Sequence, residues 1–201
     1  MSNYKNFIQD FPQRCGSILD GYKDQAKKSG LEVTHMLAIA SAAITIPFER
    51  FRKPKHKRKH PSNEREMYHS ATNKFANFCD KEFLKSSLWE NETNNWYYGI
   101  IKEKKLNDQP ESWIAKAKKL PSDFKIIYLL NHIRNSISHS SIYASSDEKD
   151  NIDNLILLNK FLEKGKFNGD YSYVKVSVTD FNKFLINWIK FLSDEIKLNN
   201  K

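Results

Sequence analysis

The sequence is poor in cysteine, with only Cys15 and Cys79 among its 201 residues. Two cysteines are too few for a disulfide scaffold, and neither belongs to a Cys-x-x-Cys pair or lies near histidines at zinc-ligand spacing. We therefore expect no metal site, no other cofactor and a reducing compartment.

Long apolar runs are missing as well. The longest stretch, Met36 to Phe48, is far short of the roughly 20 residues that a membrane-spanning helix needs. The first residues, Met1 to Gln9, lack the basic-then-apolar pattern of a signal peptide. These absences predict a cytoplasmic protein with no membrane partner.

Glycine and proline are scarce, at six each, whereas hydrophobic residues make up 39% of the chain and aromatic residues 13%. This composition excludes a disordered chain and fits a folded globule. Sparse breakers and apolar residues at helical spacing predict a mainly α, helical-bundle fold in a single domain, 1–201. The predicted helices are 3–28, 32–51, 62–84, 112–119, 121–141 and 180–196.

Two segments depart from the helical pattern. Residues 153–178 contain a glycine-bearing turn followed by β-branched and aromatic residues, which predicts a small β-hairpin insertion before the C-terminal helix. A helix remains an alternative for 153–163. Residues 86–110 form an aromatic-rich connection. Its tryptophans and tyrosines are expected to seal the core or a dimer interface, with stacking on unpaired bases as the alternative.

The net charge of +9, from 33 Lys and Arg against 24 Asp and Glu, favours polyanionic partners. The densest cationic run, 52–61, is flanked by prolines and is predicted to be an exposed loop. It either guides RNA towards a cleft or is simply a solvated loop, and the sequence favours neither. Its candidate RNA-binding residues are Lys53, Lys55, Lys57, Arg58 and Lys59.

The most informative segment is the predicted helix 121–141. Asn135 and His139 fall on its polar side, and Arg134 lies at the flank, from which its aliphatic stem can carry the guanidinium to the same side. His132 is expected to be an ordinary surface histidine, or alternatively a second proton carrier. The apolar side, which must face the core, consists of Ile126, Leu130, Ile133 and Ile137.

Arginine, asparagine and histidine together suit metal-free RNA cleavage. The imidazole of His139 can exchange a proton near neutral pH, and the forked donors of Arg134 can bind phosphoryl oxygens as charge builds up. Asn135 can hold the imidazole or bind a phosphate oxygen. This chemistry needs a ribose 2′-hydroxyl, so RNA is the expected substrate. Since one helix supplies a single histidine on this face, a symmetric homodimer with a composite site is expected.

The segment Arg134-Asn135-Ser136-Ile137-Ser138-His139 resembles the R-N-x-x-x-H form of the HEPN motif. The resemblance implies a bundle of four or five helices and a dimeric, metal-independent endoribonuclease of microbial defence or toxin systems. It also implies Arg134 and His139 as the catalytic pair, Asn135 as their auxiliary, and an antitoxin or regulatory protein as a further partner.

The sequence departs from the HEPN pattern at two positions. Residue 140 is Ser, where many active relatives have Gly, and Tyr143 lies four residues past His139 and not two. Two alternatives to the enzyme remain. One is a non-catalytic HEPN module that binds RNA, a nucleotide or a partner protein. The other is a helical interaction protein that uses the Arg-Asn-His face as a dimer contact.

Overall fold

The computed structural model describes residues 7–51, 65–89, 94–106, 108, 112, 114–146, 151–163 and 166–196. The helices are α1 (Phe7–Gly21), α2 (Lys23–Lys28), α3 (Glu32–Phe51), α4 (Arg65–Cys79), α5 (Ile126–Ser138) and α6 (Val178–Asp194), with 3₁₀ turns at Phe83–Lys85 and Glu103–Lys105. The strands are β1 (Tyr97–Lys102), β2 (Lys118–Lys119), β3 (Ile142–Ser146), β4 (Ile152–Glu163) and β5 (Lys166–Ser177).

The prediction of a mainly α, HEPN-like helical bundle with a small hairpin insertion was wrong. The five strands form one antiparallel sheet in the order β2-β1-β5-β4-β3. The predicted hairpin exists as β4 and β5, but it is the centre of this sheet. Strand β1 lies within the predicted connection 86–110, and β2 lies where a short helix was predicted.

The burial of β4 and β5 explains why the hairpin is more than an insertion. Leu155 and Leu157 face the helices and join the main core, whereas Ile156 and Leu158 face the opposite side and join a second hydrophobic cluster. A strand that is apolar on both faces must be covered on both and paired at its edges. The sheet is therefore a structural layer with its own outer core.

Helices α3 and α6 lie in the main core. The bounds of α3 are those predicted, and its buried residues include Ala40, Ile44 and Phe48. The indole Nε1 of Trp188 on α6 donates to the carbonyl oxygen of Ala43 at 2.8 Å, which fixes the two helices against each other. The side chain of Ser177 accepts from the backbone N–H of Asp180 at 3.0 Å, so α6 begins two residues before the predicted start.

The tryptophans of the aromatic-rich connection lie in the core, one of the two locations expected from the sequence. Trp89 and Trp96 are 1% and 0% exposed, and their ring centroids lie 5.9 Å apart in an edge-to-face arrangement. Trp96 also contacts Phe184 of α6 at 5.5 Å. Rings buried in this way are not available for stacking on RNA bases, but each adds a large apolar area to the core.

The outer face of the sheet offers a test of its packing. A Cβ added at Gly99 on β1 would lie 2.3 Å from the ring of Tyr173 on β5. We expect Gly99→Ala to lower the free energy of unfolding by ~1–3 kcal/mol, because the ring must move. Gly21→Ala is the matched control, since no atom lies within 4 Å of its added Cβ. Urea denaturation checks both, and equal stability of the two variants would contradict this packing.

Candidate active site

Helix α5 is buried on two sides. Leu129, Leu130 and Ile133 are fully buried in the main core, and the helix contacts α3, α4 and strand β4. His132 and Ser136 are also buried, with 5% and 0% exposure. The polar side of α5 is therefore narrower than its sequence suggests, because the sheet covers part of it.

Side-chain hydrogen bonds attach α5 to β4. The Nε2 atom of His132 lies 2.8 Å from the carbonyl oxygen of Leu157, which can only accept, so Nε2 carries the hydrogen. The hydroxyl of Ser136 shares its one hydrogen between the carbonyl oxygen of Leu158 at 2.9 Å and that of His132, one turn earlier in the helix, at 2.8 Å. The backbone N–H of Leu158 in turn donates to the carbonyl oxygen of Ser141 at 2.9 Å. These hydrogen bonds satisfy the backbone groups of Leu157 and Leu158 on β4, next to the first residue of β3.

His132 is not the surface histidine that the sequence predicted. Burial lowers the pKa of His132 to about 4, although its hydrogen bond with Leu157 acts in the opposite direction. The ring is therefore neutral at physiological pH and holds the helix to the strand. This removes it as a second proton carrier, because it has no open path to a substrate.

The chain leaves α5 through a tight C-terminal turn at His139. Ser140 has a φ of 52°, the backbone N–H of Ser141 donates to the carbonyl oxygen of Ser136 at 2.8 Å, and that of Ser140 donates to Ile137 at 3.1 Å. These are the two hydrogen bonds of a Schellman motif. The turn leaves the side chain of His139 exposed at the end of the helix, beside the start of β3.

Arg134 is held between two side chains. Its Nη1 donates to Oδ1 of Asn135 at 2.7 Å, and its Nη2 forms an ion pair with the carboxylate of Glu49 on α3. The side chain of Arg134 is partly buried, with 26% of its surface exposed. Sequence reasoning missed Glu49, because no spacing links the last turn of α3 to residue 134.

Asn135 and His139 open into one cavity of about 420 Å³. Arg134 does not line it and is connected to it through its hydrogen bond with Asn135. The structure thus brings the predicted asparagine and histidine together, with the arginine beside them. The remaining lining residues, which the sequence did not indicate, are Ser141, Leu158, Asn159, Lys160 and Tyr171.

One cationic side chain lines the cavity where it meets the sheet. Of the described lining residues none is acidic, and Lys160 carries a positive charge. The hydroxyl of Tyr171 lies 3.4 Å from the carboxylate of Glu103. Desolvation, and then the charge of Glu103, raise the pKa of Tyr171, so its hydroxyl stays protonated. The predicted RNA-binding residues Lys53, Lys55, Lys57, Arg58 and Lys59 lie outside the described residues.

Nearly the whole chain is similar to one protein family. The chain matches the family described as HEPN pEK499 p136 over residues 1–199. The protein belongs to this HEPN family. This confirms the resemblance to the HEPN superfamily. No curated protein and no solved structure shows significant similarity to the chain.

The described part of this HEPN protein has neither a metal-binding cluster nor a reactive thiol. There, no group of three or more His, Cys, Asp and Glu side chains could hold a metal ion. Burial raises the pKa of Cys15 to about 11 and that of Cys79 to about 12, so both thiols stay protonated. None of the described helices combines the length and apolarity needed to cross a membrane.

The attachment of α5 predicts a pH dependence of stability. The pKa of His132 is lower in the folded state than its ordinary 6.5. The contribution of the neutral ring to the free energy of unfolding is therefore complete above pH 6.5 and declines as pH falls towards 4. From pH 7 to 5 we expect a loss of ~2 kcal/mol in the free energy of unfolding from this group. Urea denaturation of wild type and His132→Gln checks it, and a difference between the two that does not vary with pH would contradict it.

The turn after His139 predicts the effect of a glycine there. Ser140 has a left-handed backbone conformation that glycine adopts at lower cost. We expect Ser140→Gly to raise the free energy of unfolding by ~1 kcal/mol. The control, Ser138→Gly in the last turn of α5, should lower it by ~0.5 kcal/mol. Thermal or urea denaturation distinguishes them, and destabilisation by both substitutions would contradict the turn geometry.

Proposed function

We propose that the protein is a metal-independent endoribonuclease of HEPN type, acting in microbial defence or as a toxin. The observation that supports this most is the shared cavity of Asn135 and His139, in which the asparagine is hydrogen-bonded to the guanidinium of Arg134. Family membership makes a nuclease or toxin role reasonable, and the three side chains supply the chemistry.

The proposed reaction is attack of a ribose 2′-hydroxyl on the adjacent phosphorus. His139 accepts the 2′-proton or, as imidazolium, donates one to the departing 5′-oxygen. The 2′-oxygen–phosphorus bond forms as the 5′-oxygen–phosphorus bond breaks. The products are a 2′,3′-cyclic phosphate and a 5′-hydroxyl end. The reaction needs no metal ion and no oxidant.

Arg134 and Asn135 act as a pair in this proposal. The guanidinium stabilises negative charge on the phosphoryl oxygens, and its ion pair with Glu49 keeps it in place before substrate binds. Since Oδ1 of Asn135 accepts from Arg134, the amide Nδ2 of Asn135 is left to donate towards a phosphate oxygen in the cavity.

A second proton carrier is needed for full acid–base catalysis. His132 cannot supply it, because it is buried and neutral. A homodimer in which two α5 helices meet across a two-fold axis would supply a second His139. The exposure of His139 at the end of its helix is compatible with such an approach.

Cleavage of labelled RNA in the presence of a chelator tests the proposal. We expect His139→Ala to lower the rate by ~10²–10⁴-fold, because it removes the proton-transfer group. Asn135→Ala should slow cleavage, whereas Asn131→Ala, four residues earlier on the same helix, should not. Circular dichroism and the molar mass in solution confirm that fold and assembly are retained.

Cleavage by pure His139→Ala protein at the wild-type rate would contradict this function. The second candidate is a non-catalytic HEPN module that binds RNA, a nucleotide or a partner protein such as an antitoxin. The ion pair of Arg134 with Glu49 favours it, because a guanidinium whose charge is neutralised by a carboxylate stabilises the negative charge of a transition state less. RNA binding without cleavage would identify that module.

A further inference from the structure

The sheet provides one wall of the cavity that holds His139. Lys160 on β4 and Tyr171 on β5 are direct partners across the antiparallel ladder, so their side chains share one face of the sheet. Both line the cavity together with Asn135 and His139. The end of the motif helix and this strand pair thus both contribute side chains to the cavity.

Lys160 is suited to an anionic ligand. It is exposed, its Nζ lies 5.2 Å from the centre of the Phe167 ring, and no acidic residue is among the described ones that line the cavity. A cation placed in this way attracts a phosphate, and its contact with an aromatic face leaves its donors free to turn towards a ligand.

The ring of Tyr171 is held in place by its neighbours before a ligand binds. Phe167 packs edge-to-face against it at 5.4 Å, and its hydroxyl is held by Glu103 at 3.4 Å. Two contacts that fix a half-buried ring reduce the entropy lost when a ligand packs on it. Aromatic side chains of this kind bind the faces of unpaired nucleic-acid bases.

The size of the cavity limits what can bind. Its volume of about 420 Å³ is near the lower end of the ~300–1,000 Å³ typical of small-ligand pockets. One nucleotide unit is compatible with this volume. The bases of a duplex stay stacked, so their faces are not accessible to a side chain, and an unpaired nucleotide is the better match to the ring of Tyr171.

We propose that the Lys160–Tyr171 wall binds one unpaired nucleotide of single-stranded RNA next to the scissile phosphate, with Lys160 on a backbone phosphate and Tyr171 against the base. The proposal rests on the proposed function, since it assigns the substrate class and two binding residues to the same site. Neither residue takes part in proton transfer.

Binding measured apart from turnover tests this inference. The probe is a fluorescent single-stranded RNA whose 2′-O-methyl groups block cleavage, and fluorescence anisotropy is recorded at several salt concentrations. We expect Lys160→Ala to raise the Kd about fivefold to tenfold and to reduce the slope of log affinity against log salt by ~0.7, the value for one phosphate contact on a single strand. Lys160→Arg should retain both, and the same RNA annealed to its complement should bind more weakly.

The control is Lys190→Ala, which removes the same charge from an exposed position of α6 that does not line the cavity. Equal Kd and salt slope for Lys160→Ala and Lys190→Ala, or wild-type preference for the duplex, would overturn the inference. Cleavage of unmodified RNA by the same samples tests the proposed function separately. Loss of binding in Lys160→Ala without any wild-type cleavage supports the binding wall and removes the catalytic proposal.

Discussion

The attachment of one helix to one strand determines the geometry of the site. His132 and Ser136 of α5 bond to the carbonyl oxygens of Leu157 and Leu158, and the N–H of Leu158 bonds to Ser141 beyond the helix. Buried polar groups that lose such partners are costly, so the contacts strongly favour one register of helix on strand. That register places the end of the helix, with His139, beside β4 and β5.

This attachment also separates the three motif residues in a defined way. Arg134 lies towards α3, where Glu49 binds it, and His139 lies towards the sheet, where it shares a cavity with Lys160. Asn135 connects the two sides, because its side chain accepts from Arg134 and also lines the cavity. A rotation of α5 by one residue would break this arrangement together with both hydrogen bonds to β4.

Local patterns in the sequence predicted part of the fold. Helical spacing predicted α3 with its bounds and a C-terminal helix, and the two tryptophans of the connection lie in the core, one of the two places expected for them. The sheet was missed because its order depends on long-range pairing: β1 and β2 are short, and 153–163 was compatible with either a helix or a strand. Hydrophobic periodicity says which residues are apolar and not which strand lies next to which.

The missed sheet also explains the errors at the site. His132 was placed on the surface because the helix was assumed to bury one side only, whereas β4 covers a second side. Glu49, Lys160 and Tyr171 are distant in sequence from the motif, so only the fold brings them to it. Ser140 occupies a backbone conformation that explains why glycine suits this position. The roles of Arg134, Asn135 and His139 remain predictions.

The most direct measurement is the chemical identity of the ends that the protein leaves on RNA. Mass spectrometry of oligoribonucleotide products formed in the presence of a chelator should find a 2′,3′-cyclic phosphate on one fragment and a 5′-hydroxyl on the other. A 3′-hydroxyl with a 5′-phosphate would mean attack by water, not by the 2′-hydroxyl. That result would contradict the account of His139 and Arg134.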